Sequence, residues 1–173
     1  MRINIRKQTL VKSLCYSLLF FALLLFSESF LPALCPGFAA LWLLPGALAA
    51  LALFEDERYA GLFAVIFGVL EECMSRGGRT VFPLLYVLFA LLCAYLYTHV
   101  FVRNFLSWFC YTTAGLALCA LAELFFLVAR WDLPAHMLLQ EVLPAFLASL
   151  PASLLLYPIF SKIKKKTTRE GYA

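Results

Sequence analysis

The residues able to do chemistry are few and widely spaced in this chain of 173: ten carboxylates, fourteen Lys/Arg, two histidines and six cysteines. Glu123 stands alone in a long apolar run, Glu71 and Glu72 precede Arg76 and Arg79, and Glu28 interrupts the first apolar segment. His99 follows Tyr95 and Tyr97 where a bundle helix would meet the interface, while Trp131 and His136 fall in the polar break at residues 130–136. No catalytic set assembles from these groups. There is no phosphate-binding glycine loop, no G-x-S-x-G, no H-E-x-x-H and no cluster of aspartates of the kind that holds metal for phosphotransfer. Cys15, Cys35, Cys73, Cys93, Cys110 and Cys119 show no C-x-x-C and no histidine at ligand spacing. They read as small buried hydrophobes rather than zinc ligands or a disulfide framework. An enzyme is not indicated, and neither a metal nor a cofactor is expected.

The elements that must position these residues follow from composition. Apolar residues make up 64% and charged residues 14% of the chain, and mean hydropathy is +0.91, whereas a soluble domain carries about 25% charged residues. A water-facing surface needs more polar groups than this, and a lipid-facing surface needs none. A crossing helix takes about 20 apolar residues, and charge-poor runs of that order predict spans at residues 13–31, 37–54, 59–75, 81–102, 104–129 and 142–161. The third is the shortest, with Glu71 and Glu72 at its outer end. The expected fold is one all-α membrane domain, a six-transmembrane-helix bundle with a basic tail at residues 162–173.

Six crossings place both termini on one side. The fourteen basic residues then divide eleven to three, with Arg76, Arg79 and Arg130 outside and the rest inside, so the positive-inside rule makes the termini cytoplasmic. The basic ends, Lys162 to Lys166 above all, address anionic lipid and set orientation; they do not indicate nucleic acid. The N-terminal run also superficially resembles a lipoprotein signal ending at Cys35. It lacks the small residue before that cysteine and is followed by further spans, so a retained first helix is expected. The loops are too short to build a soluble catalytic domain.

An acid at mid-bilayer costs about 2.5 to 3.5 kcal/mol, so it turns toward protein or water. Stepping back from Glu123 by fours reaches Cys119 and Gly115, small residues that permit close helix approach. Leu118, Leu121 and Phe125 make the other side bulky. The stripe predicts a buried contact, either with a bound partner helix or as a hydrogen bond inside the bundle. Glu72 and Arg76 form an i,i+4 pair in the favourable order, worth a few tenths of a kcal/mol. Gly77-Gly78 ends that helix, which leaves Arg76 and Arg79 on an external turn as a docking rim or interfacial anchor.

Three of these features resemble the rod-shape-determining MreD family of bacterial inner-membrane proteins: Gly68-Val-Leu-Glu-Glu72 followed by Ser75, Glu123 within Ala120-Leu-Ala-Glu-Leu-Phe-Phe126, and Leu150-Pro151 with Tyr157-Pro158 before a basic tail. Length, six spans and short loops extend the resemblance over the whole chain. Glu72 stands where the family commonly has Asp, and Ser149 or Ser153 where Asn is expected. The resemblance implies a non-enzymatic scaffold subunit of the cell-elongation complex. Such a subunit binds the single-span protein MreC and helps couple MreB filaments to peptidoglycan synthesis by RodA and its class B penicillin-binding protein. Glu123, Cys119, Gly115, Glu72, Arg76 and Arg79 are then the candidate partner contacts. The family's fold is thought to be similar to that of the substrate-binding components of energy-coupling-factor vitamin transporters. Such a transporter component is the alternative reading, although the first span lacks the Ala-x-x-x-Ala used for scaffold docking and only Ala60/Ala64 and Ala148/Ala152 have that spacing.

Overall fold

The computed structural model describes residues 2–34, 41–55, 57–74, 82–99, 104–131 and 135–169, and all regular structure among them is helical. Helix α1 (Arg2–Leu25) passes through a π-helical turn (Phe26–Phe30) into the short α2 (Leu31–Leu34). Then follow α3 (Leu44–Phe54), α4 (Glu57–Met74), α5 (Phe82–His99), α6 (Phe105–Trp131), α7 (Ala135–Leu154) and α8 (Leu156–Arg169). Among the described residues, four stretches are long and apolar enough to cross a membrane: Leu10–Phe30, Phe82–His99, Phe105–Ala129 and Val142–Lys165. Leu14 and Leu18 on α1, Leu88 and Leu92 on α5, and Leu121 and Phe125 on α6 are all exposed. Hydrocarbon accepts such a surface, and water does not.

The remaining two expected spans have a different form. Residues 37–54 contribute an eleven-residue helix, α3, which at 1.5 Å per residue covers about 16 Å, roughly half a hydrocarbon core. Helix α4 has eighteen residues but carries Glu57, Arg58, Glu71 and Glu72 at its two ends, so only residues 59–70 are free of charge. The last expected boundary also moves. Residues 162–169, read as tail, are helical and belong to α8, and the break falls at Leu155, whose N–H reaches back to the Ala152 carbonyl at 3.3 Å. Pro158 explains that position, because it has no N–H to offer the Leu154 carbonyl.

Helix α3 is the hub. Its sequence, Leu-Pro-Gly-Ala-Leu-Ala-Ala-Leu-Ala-Leu-Phe, has no polar side, and a helix apolar all round belongs inside. Every residue from Leu44 to Leu53 is buried, and α3 packs on α1, α4, α5, α6, α7 and α8. Close approach is possible because Gly46 has no side chain: a Cβ there would lie 3.0 Å from Ser153 Cβ and 3.2 Å from Thr112 Cγ2. The Gly46 carbonyl in turn accepts the Trp108 indole N–H at 3.3 Å. Pro45 sits in the first turn of α3, where a missing N–H costs nothing.

Residues 41–43, just before α3, are non-helical yet buried. Irregular backbone at membrane depth survives only where protein satisfies it, and Ser149 does so here. Its Oγ accepts the Trp42 N–H at 2.8 Å and donates to the Ala145 carbonyl at 2.7 Å. Ser149→Ala is expected to strand the Trp42 N–H and lower stability by about 2 kcal/mol, read as a lower unfolding midpoint of the full chain in detergent. An unchanged midpoint would mean that the amide has another acceptor.

Aromatic packing closes the bundle on two sides. Phe20 of α1 meets Phe63 and Phe67 of α4 at 5.2 and 5.0 Å, and Tyr16 stacks on Phe160 of α8 at 5.6 Å. Tyr157 collects Phe54, Phe105 and Trp108 at 5.6, 5.0 and 5.3 Å. In lipid there is little hydrophobic force between helices, so such contacts and buried polar bonds hold the bundle together.

Candidate functional site

Buried charge gathers at the two ends of α4, and the two groups have different chemistry. At the far end of α4, Glu71 lies on the same helical face as Ala60, Phe63, Ala64, Phe67 and Gly68, all buried. From α6, Gly115, Cys119 and Glu123 come in at successive turns. Gly115 is the seat of a ring from α5: a Cβ there would stand 2.5 Å from Phe89 Cζ. One turn on, Cys119 is fully buried among the Tyr86 hydroxyl of α5 and the carboxyl groups of Glu71 and Glu123, all near enough to act on its thiol. Glu123 itself is 6% exposed, and Glu72 is half-buried.

The predicted stripe therefore exists and faces inward, while Leu118, Leu121 and Phe125 face outward, with Phe125 78% exposed. Its use differs from a docking seam for another protein's helix. Gly115 and Cys119 are filled by Phe89 and Tyr86 of the same chain, because the small residues let α5 come close before any partner can. Arg76 and Arg79 lie outside the described residues, as does Cys35. Cys93 is buried like Cys119, whereas Cys15, Cys73 and Cys110 are exposed on helix surfaces, so burial is not the common property of the cysteines.

Glu71 and Tyr86 were absent from the candidate residues drawn from sequence. The signal for Glu71 was present: counting 60, 63, 64, 67, 68 and 71 along α4 gives the 3.6-residue repeat of a buried face. That count selects Glu71 ahead of its neighbour Glu72. Tyr86 carried no such mark, since α5 is apolar nearly all round.

At the opposite end of α4 the chain builds an ion pair that no motif announces. Lys12 of α1 pairs with Glu55, the residue that caps α3, and the Tyr16 hydroxyl donates to the other Glu55 oxygen at 2.9 Å. Glu55 is buried and Lys12 one quarter exposed. Beside it a cleft of about 520 Å³ is lined by Ala52, Glu55, Glu57, Arg58, Ala94, Thr98 and His99. His99 packs on Tyr95 with ring centroids 4.6 Å apart.

What the first group offers is an acidic, hydrogen-bonding end to a bundle whose sides are apolar. Two buried carboxylates, Glu71 of α4 and Glu123 of α6, supply it, with the half-buried Glu72 next in sequence to Glu71. The arrangement can bind and orient a cationic or hydrogen-bonding surface. Comparison of the chain with family models, with curated proteins and with solved structures returns no match.

Proposed function

We propose that this protein is a non-enzymatic membrane scaffold of the cell-elongation complex, as its resemblance to the MreD family implies. It would hold the single-span protein MreC and so help link MreB filaments to the peptidoglycan synthases. The observation that supports the reading is a pair of buried carboxylates, Glu71 on α4 and Glu123 on α6, in a bundle whose outer faces are clad in leucine and phenylalanine. A scaffold in lipid needs an apolar flank on which a partner helix can lie and a polar end that fixes its depth. Phe125, Leu121 and Leu118 are the flank; Glu72, Arg76 and Arg79 are the polar end, which the buried Glu123 supports from within the bundle.

Orientation follows in the same reading. Lys12, Arg58, Lys164 and Lys165 lie at the Glu55 end, which supports six crossings, a cytoplasmic placement of that end in the inner membrane, and both termini on the same side. In this arrangement α3 and α4 count as the second and third crossings. The transporter alternative needs alanines on an accessible face; Ala60 and Ala64 are fully buried, and Ala148 and Ala152 are only partly exposed, on α7 and not on the first span.

Glu123→Leu is expected to reduce copurification of MreC with the tagged full chain about tenfold, equivalent to roughly 1.4 kcal/mol. Arg76→Glu should act in the same direction. Unchanged recovery of MreC by both variants at parental expression would sink the scaffold assignment of this end.

A further inference from the structure

The carbonyl end of α3 and one face of α8 enclose a second cleft of about 250 Å³, lined by Leu53, Phe54, Ser161, Lys164 and Lys165. We propose that this cleft is a binding site for the phosphate headgroup of an anionic phospholipid, whose acyl chains run along the outer side of α8. The site depends only on the membrane setting, not on the scaffold assignment.

The residues that would hold the phosphate share a face of one helix: Ser161, Lys164 and Lys165 stand at i, i+3 and i+4 of α8. Lys164 is fixed in place, donating to the Phe54 carbonyl at 2.6 Å with its ammonium 5.7 Å from the centre of the Phe54 ring. That contact matters for an anion. The carbonyl end of a helix is negative, and Lys164 sets a positive charge on it. Glu55, next in sequence to Phe54, is already engaged by Lys12 and Tyr16. Lys165 is exposed and supplies charge beyond what α3 consumes, while the Ser161 hydroxyl adds a donor one turn earlier.

The lining also identifies the source of the phosphate. Leu53 and Phe54 give the cleft an apolar wall, which suits glycerol carbons and the first methylenes but offers a free phosphate ion nothing. Leu154 and Pro158 are exposed seven and three residues before Ser161, on its side of the same continuous stretch, an apolar track leading away from the cleft. Lys165 ends the stretch that is long enough to cross a membrane, so the cleft sits at headgroup level, where a basic side chain attracts anionic lipid.

The test is native mass spectrometry of the detergent-solubilised full chain incubated with phosphatidylglycerol or with phosphatidylcholine. The parent is expected to retain phosphatidylglycerol in preference, and Lys165→Gln to lower its occupancy about fivefold, the factor that corresponds to one basic contact. Ser161→Phe, which fills the cleft without removing charge, should lower retention to a similar degree. Lys162→Gln removes the same charge outside the cleft and should leave retention near the parental level. Equal retention of both lipids overturns the site. So do equal losses from Lys162→Gln and Lys165→Gln, which would mean diffuse surface attraction. Full displacement of the lipid by millimolar inorganic phosphate would make it a free-anion site instead.

Discussion

Glu55→Ala is expected to destabilise the folded chain by about 3 kcal/mol, because it breaks a largely buried ion pair from one side. The Glu55 carboxylate takes Lys12 on one oxygen and the Tyr16 hydroxyl on the other. Removing it leaves a lysine only one quarter exposed without its counter-charge, and a buried tyrosine hydroxyl without its acceptor. The net worth of the intact pair is much smaller than this loss, since both charges were desolvated to form it. Lys12→Met combined with Glu55→Met should therefore recover most of the stability lost in Glu55→Ala. Unfolding of the full chain in detergent, followed by loss of helical signal on titration with denaturant, measures both. Equal midpoints for parent and Glu55→Ala, or simple additivity of the two methionine substitutions, would show that the pair is not coupled in the bundle.

Gly115→Leu should be about as damaging, roughly 3 kcal/mol, for a purely steric reason. Even a single carbon at this position would meet Phe89 Cζ at 2.5 Å and Cε2 at 2.8 Å. These are ring atoms of a buried side chain, which has little room to swing away, so α5 must move off α6. The displacement would reach Cys119 and Tyr86 one turn along, and with them the acidic end of the bundle. The remedy is specific: Phe89→Ala placed in the Gly115→Leu chain should restore part of the lost stability, although Phe89→Ala alone is destabilising. Should the double variant prove no more stable than Gly115→Leu, Phe89 is not what Gly115 accommodates.

These two sites differ in how readily the sequence exposed them. Gly115 and Cys119 could be placed on the Glu123 side of α6 by counting fours, and Leu118, Leu121 and Phe125 on the other side, because side-chain direction on a helix is a local property. Counting does not say what fills the space beside a glycine. The small residues are equally suited to a partner's helix and to the chain's own α5, and packing decided for Phe89. Glu55 was harder still. It sits among Asp56, Glu57 and Arg58, where a charged cluster reads as a solvated connection, and its partner is 43 residues away on α1. The same holds for Ser149, singled out only as a position where the resembling family has Asn; its hydrogen bond to Trp42 spans 107 residues.

The membrane setting, the all-helical class and the outward side of α6 were determined by the sequence alone. Lipid obliges each crossing segment to satisfy its own backbone, so apolar length and helical period carry the information locally. Only the tertiary structure decided that the short α3 is the hub, that Phe89 and Tyr86 of α5 are what Gly115 and Cys119 meet, and that Lys12 and Lys164 both close on the carbonyl end of α3. Those outcomes depend on which helices touch. A glycine, a serine or a buried charge is indifferent to its partner until the packing of the others presents one.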